Sequence, residues 1–259
     1  MKTDNKEKYK YYNHEPAGLR KMKFIERILE LEKNKKDKAS LSILDVGCGL
    51  GHLSAFVASL GNEVKAIDVD SRSIATASEV YTKESTIFAT EDLKDQTGEY
   101  DVVTAFEVCE HVTGVDVFLQ EINQQIVDDG LLIVSVPNGY SLEEIIRRFL
   151  QHTGFGQKIK KFLRGSWVLP KSDSQSKADS SHIHFWGFGK WKKEIEKQGF
   201  VLENKKNVSF IFKQFYYIGG RRFLKPGKIF KFFDKLDNIF VSILPTFLAD
   251  SWIMSFRKK

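Results

Sequence analysis

Ile43-Leu44-Asp45-Val46-Gly47-Cys48-Gly49-Leu50-Gly51 decides the reading of this 259-residue chain. An apolar, partly β-branched run stops at a turn built almost wholly of glycine. A stretch with apolar residues at helical spacing follows, at Leu53, Phe56, Val57 and Leu60. Strand, glycine turn and helix make the opening half of a βαβ unit that holds a nucleotide-like ligand. Glycine suits that turn because, with no Cβ, the backbone reaches positive φ and a ligand can lie directly on it. The spacing narrows the ligand. A dinucleotide fingerprint is Gly-x-Gly-x-x-Gly, whereas here the glycines fall at 47, 49 and 51 and position 52 is His. Asp45, two residues before the first glycine, is awkward beside a pyrophosphate and suits a ligand with a cationic part.

The run from Ile43 to Gly51 resembles the first motif of the class I S-adenosylmethionine-dependent methyltransferases. Tyr100 to Val112 and Leu131 to Asn138 resemble later segments of the ubiquinone-type and related small-molecule members. The resemblance implies a doubly wound α/β fold: a mostly parallel, Rossmann-like sheet of seven strands, one antiparallel, with helical insertions. It implies S-adenosyl-L-methionine as cofactor, held by Asp45, Gly47, Cys48, Gly49 and Gly51. Asp68 ends the second strand, Glu63 to Asp68, 21 positions after Gly47, close to the spacing at which an acid meets a ribose. Val69 follows it. The adenine amino group falls to the stretch Glu91, Asp92 and Leu93, with Asp92 preferred over Glu91. Phe106 and Glu107, at the end of the fourth strand, are expected to face the cofactor, because the C-terminal ends of parallel strands line the ligand crevice.

Three histidines are the candidates for catalysis. His111 follows Glu110 at what reads as the start of a helix, and an imidazole titrates near neutrality. His182 and His184 lie two apart, so an extended segment would put both on one face. That pattern is compatible with a metal pair, which Glu107, Glu110 and His111 could complete only if the fold joins them. No metal is expected. A structural tie or a substrate contact is the alternative use of these histidines.

Composition and charge bound the remainder. Hydrophobic residues make up 42%, ordinary for a packed core. Cys48 and Cys109 offer no disulfide framework and read as reduced thiols of a cytoplasmic protein. The Lys-rich start carries no apolar signal segment, and residues 241–256, the nearest approach to a membrane span, are broken by Pro245 and Asp250. The net charge of +6 conceals an asymmetry. Residues 1–146 hold 16 Lys and Arg against 26 Asp and Glu, a net of −10; residues 147–259 hold 24 against 8, a net of +16. The basic, aromatic half calls for an anionic partner.

The expected organisation is an N-terminal tail and cleft-covering helix over residues 1–40, then one domain over 41–259 with insertions at about 139–181 and 214–249. The N-terminal helix is placed at about 19–32, with Phe24, Ile25, Ile28, Leu29 and Leu31 inward, and a charged linker at 33–40. In the first insertion a helix at 142–150 and a basic, aromatic stretch at 155–167 are expected. In the second, apolar residues from Ile229 through Phe232, Phe233, Leu236, Ile239, Phe240 and Ile243 to Leu244 form one helical stripe, with Asp234 and Asp237 among the charges opposite. That helix packs on its own domain or lies on an anionic membrane surface. The acceptor is expected to be a small anionic or lipid-linked molecule methylated on oxygen. A nucleic-acid substrate is disfavoured, since the turn after the fourth strand reads Phe-Glu-Val-Cys-Glu and no RNA-binding module is recognisable. A non-catalytic cofactor-binding protein is the third reading.

Overall fold

The computed structural model describes residues 16–82, 85–141, 182–210, 228–243 and 245–259. The expected helix at 142–150, the basic stretch at 155–167 and the side chains of Ile229, Phe232, Phe233 and Leu244 lie outside the described residues.

Helix α1 (Pro16–Lys36) leads into β1 (Ser42–Val46), α2 (His52–Ser59), β2 (Glu63–Asp68), α3 (Ser71–Val80), β3 (Thr86–Thr90), β4 (Tyr100–Phe106), α4 (Val115–Gln125) and β5 (Ile126–Pro137). Then come α5 (Phe188–Lys197), β6 (Phe200–Ser209), α6 (Lys228–Ile243) and β7 (Ser251–Lys258). The seven strands form one sheet in the order β3-β2-β1-β4-β5-β7-β6. All pairs are parallel except β7, which runs antiparallel to both β5 and β6. This is the sheet expected from the sequence.

The pleat sorts the core into two layers. Leu44, Val46, Val103, Leu132 and Val134 face α4 and α5. Ile43, Val102, Leu131 and Ile133 face α1 and α2. β1, β4 and the later part of β5 are buried on both faces, which explains why they read as near-continuous apolar runs. The sheet order reverses between β1 and β4, and the crevice outside their carboxyl ends is where such sheets take a ligand.

Three local expectations need correction, and β5 starts early, at Ile126, because Tyr100 already pairs with Ile126 before the register shifts. α1 runs to Lys36, so the charged linker is mostly helix, and Leu31 is exposed while Met22 is fully buried. Glu110 and His111 lie in a turn, closed by the His111 amide donating to the Val108 carbonyl (2.9 Å), and the helix starts only at Val115. In α6 the described side chains reverse the expected faces. Asp237 and Val241 are buried, while Ile239, Phe240 and Ile243 are exposed. The cause is Arg20 of α1, whose guanidinium donates to Asp237 (2.5 Å), Asn238 (2.7 Å) and the Val208 carbonyl (2.6 Å). Asp237 also accepts from the Phe210 amide (3.1 Å).

Removing one partner of a buried pair leaves the other charge uncompensated. Asp237→Ala is therefore expected to lower stability by about 3 kcal/mol. Urea unfolding checks it; an unchanged midpoint would mean that the Arg20 contact does not hold α6 down.

Candidate active site

The glycine turn is fixed from two sides. The amides of Gly47 and Cys48 both donate to the Ile67 carbonyl (2.8 and 3.0 Å), and the Gly49 amide donates to Asp68 Oδ2 (2.8 Å). Gly47, Gly49 and Gly51 all have positive φ, between 52° and 73°. At Gly51 a Cβ would also lie 2.5 Å from the Phe88 ring, so both conformation and space demand glycine. At Gly49 nothing lies within 4 Å of the Cβ position, and this part of the turn is open to a ligand.

The turn borders a cleft of about 290 Å³. Its floor is Asp45, beside the turn residues Gly47 and Cys48; Phe106 and Glu107 from the end of β4 form one wall. Asp45 pairs with Thr104 in the β1–β4 register and accepts from its hydroxyl (2.6 Å) and from Ser54 of α2 (2.6 Å). Burial pushes its pKa up to about 6 against the pull of these two hydroxyls, so it remains an anion at neutral pH. Glu107 has φ 56°, an uncommon conformation for a residue with a side chain and one that concentrates at functional sites. Its carboxylate accepts from Lys21 of α1 (2.5 Å) and from Ser135 (2.7 Å). Gly18, Lys21 and Met22 of α1 also line the cleft.

Asp68 sits at the rim and is not part of this lining. Besides Gly49 it holds the Asp70 amide through Oδ1 (2.9 Å), leaving each oxygen further acceptor capacity for a diol. Asp70 caps α3, accepting from the Arg72 amide and the Ser73 hydroxyl. Val69 is exposed. Glu91 is taken up by Lys65 (2.7 Å) and Gln96 (2.7 Å), whereas Asp92 lies 3.3 Å from the exposed Lys94. Leu93 is buried in the core beside Ile67.

The three histidines divide. Residues 182–187 are irregular rather than a strand, so the expected single face does not form. His184 turns inward: its Nε2 lies 2.9 Å from the Val112 carbonyl oxygen, and its ring packs on Trp186 and Trp191. His182 turns instead to His111, with ring centroids 5.1 Å apart. Both stand beside Glu110, whose side chain is fully buried. Burial, and then the neighbouring Glu107 charge, push the Glu110 carboxyl up to about 8. Glu110 also holds the segment in place, since its carbonyl accepts from the amides of Ile183 (2.8 Å) and His184 (3.2 Å).

A family model described as a methyltransferase domain matches residues 12–205. The chain belongs to this methyltransferase family. Two similar curated proteins are ubiquinone biosynthesis O-methyltransferases of Rickettsia. That of Rickettsia typhi is 37% identical over 59% of this chain and 60% of its own length. That of Rickettsia akari is 30% identical over 67% and 75%. Other Rickettsia relatives of that name match over 39% to 50% of their length, so the chain spans about half the length of several curated relatives it matches. Among solved structures, the magnesium protoporphyrin IX methyltransferase of Synechocystis PCC 6803 has a TM-score of 0.54 at 17% identity, covering 94% of this chain and 84% of that one. At that identity the likeness speaks for the fold.

Sequence reasoning missed Lys21, Ser54 and Thr104. Ser54 and Thr104 left a trace, as polar residues inside apolar runs. Lys21 left none, because it reaches the site from a separate helix.

Calorimetry is expected to show S-adenosylhomocysteine binding and no NAD binding. Asp68→Ala should weaken the former by roughly 1.5–3 kcal/mol, the scale of hydrogen bonds to a charged group. Asp70→Ala should leave the affinity near wild type. Equal losses at the two positions would remove Asp68 from the ligand.

Proposed function

We propose that this methyltransferase moves a methyl group from S-adenosyl-L-methionine to an oxygen of a small anionic or lipid-linked acceptor. The observation that carries the reading is the β1–β4 cleft, with anionic Asp45 below, the open glycine turn beside it and Glu107 at its wall. When bound, S-adenosylmethionine supplies an electrophilic methyl on a sulfonium. The residues fit such a ligand. Asp45 and Glu107 suit its cationic part, Lys21 its carboxylate and Asp68 its ribose hydroxyls. Displacement at a sulfonium needs alignment above all, and α1 with its Lys21–Glu107 contact would fix the donor end.

An acceptor hydroxyl must lose its proton as its oxygen takes the methyl. His111 stands on the loop that continues from Glu107, and His182 meets it from the segment 182–187, where an imidazole can receive that proton. His184, engaged with Val112 and the tryptophans, serves better to hold the segment. The names of the Rickettsia relatives favour oxygen as the acceptor atom.

Labelled S-adenosylmethionine incubated with the protein and a fractionated extract is expected to label the lipid or small anionic fraction. Label in RNA alone would overturn the acceptor class. His111→Ala should lower turnover about 100-fold or more with S-adenosylhomocysteine affinity intact, the scale of a lost acid–base group. Unchanged turnover would remove His111 from the chemistry.

We further infer peripheral association with anionic membrane. No helix among the described residues is long and apolar enough to cross one. Ile239, Phe240 and Ile243 of α6 are exposed, and so are Phe247 and Leu248 just beyond it. Apolar side chains of this kind can enter a headgroup region while the basic half of the chain meets anionic lipid. Co-sedimentation with anionic vesicles at low salt and release at high salt are expected; failure to sediment at low salt would refute it.

A further inference from the structure

Helix α1 lies antiparallel along β6 and is pinned to it at two levels. Near the start of the helix the Arg20 guanidinium donates to the Val208 carbonyl (2.6 Å). Further along, Glu32 holds Arg257 (2.9 Å), the residue that pairs with Val201 of β6. The stretch between the two pins brings Lys23 and Arg27 of α1 alongside Lys206 of β6. The pleat agrees: Lys206 pairs with Ile253, whose side chain belongs to the layer that faces α1 and α2, and paired residues share a face of the sheet.

All three cations are exposed, and among the described residues none has an ion pair or a side-chain hydrogen bond. Arg20 beside them is committed to Asp237. Lys23 and Arg27 stand at the i, i+4 spacing, where like charges repel. Partial burial, and then the charges of Arg20, Lys23 and Arg27, lower the Lys206 pKa; positive charge prevails here even though Glu26 and Glu30 share the helix. The sequence that carries Lys206 supplies no counter-charge: residues 204–233 hold eight Lys and Arg and no Asp or Glu. Like charge gathered in this way repels itself, and a bound anion offsets the cost.

We propose that Lys23, Arg27 and Lys206 bind a phosphoryl group at the seam of α1 and β6. The arginine fork can donate two parallel bonds to phosphate oxygens, and the two ammonium groups add point charge. The site is separate from the cofactor cleft. Lys21, which lines the cleft, points roughly 120–160° away from Lys23 and Arg27 around the helix axis, at about 100° per residue. The phosphate can belong to a lipid headgroup or to a soluble molecule. The exposed Ile239, Phe240 and Ile243 favour the headgroup, because Arg20 ties α6 to the same seam through Asp237 and Asn238. The headgroup source rests on the membrane reading above; the phosphate site does not.

The test is calorimetry of the full chain with inorganic pyrophosphate at low salt, beside co-sedimentation with phosphatidylcholine vesicles that contain phosphatidic acid. The wild type should bind at least one of the two probes. Arg27→Gln and Lys206→Gln should each weaken that binding about tenfold, the lower end for a hydrogen bond to a charged group. Lys193→Gln, which removes one exposed charge from α5, should leave it unchanged. All three positions are exposed, and melting temperature reports that each variant is folded. Neither probe bound by the wild type, binding undiminished in Arg27→Gln and Lys206→Gln, or an equal loss in Lys193→Gln overturns the site. Sedimentation that Arg27→Gln and Lys206→Gln lose supports a lipid headgroup. Pyrophosphate binding that the same variants lose, without sedimentation, supports a soluble phosphate and removes the membrane reading. Sedimentation that every variant shares keeps the membrane reading and overturns the site.

Discussion

Three successive amides, those of Gly47, Cys48 and Gly49, are claimed by the end of β2. The first two share the Ile67 carbonyl and the third meets the Asp68 carboxylate. For this to happen the chain leaving β1 must coil back at once, which needs positive φ at alternate residues and hence the glycines. The tight coil brings α2 against β1, so that Ser54 reaches Asp45, and it leaves the Asp45 carboxylate under the turn as a fixed negative charge. The same coil makes Asp68 part of the turn as well as of the second strand. Loop conformation, cleft charge and the position of Asp68 are consequences of one set of hydrogen bonds.

The chain beyond β4 is organised differently. The exit from β4 depends on Glu107 in a left-handed conformation and on the main chain of Glu110, which binds the amides of residues 183 and 184. A carbonyl makes these contacts, so they carry no residue preference. Gly139 supports the same segment, its amide donating to the Trp186 carbonyl and its missing side chain leaving room for the Phe185 backbone. A region built from main-chain contacts between distant segments can keep its shape while its exposed side chains differ.

That difference governs what was legible beforehand. The sheet could be read because β1, β4 and β5 are buried on both faces and must be apolar throughout, and because a left-handed turn tolerates little besides glycine. Asp68 could be placed by its distance from the turn. His182 and His184 misled, because a period of two has meaning only in an extended strand and this segment is held irregularly by Glu110 and Val112. Asp237 misled for a related reason. A charged residue on the polar side of a helical stripe is expected outside, and nothing local announces the buried arginine that draws it in. Lys21 reaches Glu107 across 86 positions of sequence, a contact that no window of residues contains.

The place of β7 has a consequence for how the molecule is assembled. Of the seven strands it is the latest in sequence, yet it lies inside the sheet, between β5 and β6. β6 has no pairing within the described sheet except with β7. Until residues 251–258 are available, β5 is therefore an edge strand, with its apolar stretch from Leu131 to Val136 open to any other strand. Closing that edge joins segments more than a hundred residues apart, a slow step by loop-closure entropy. During synthesis the nucleotide-binding half can form first, while the exposed β5 edge is the place at which an incomplete chain is most prone to pair wrongly.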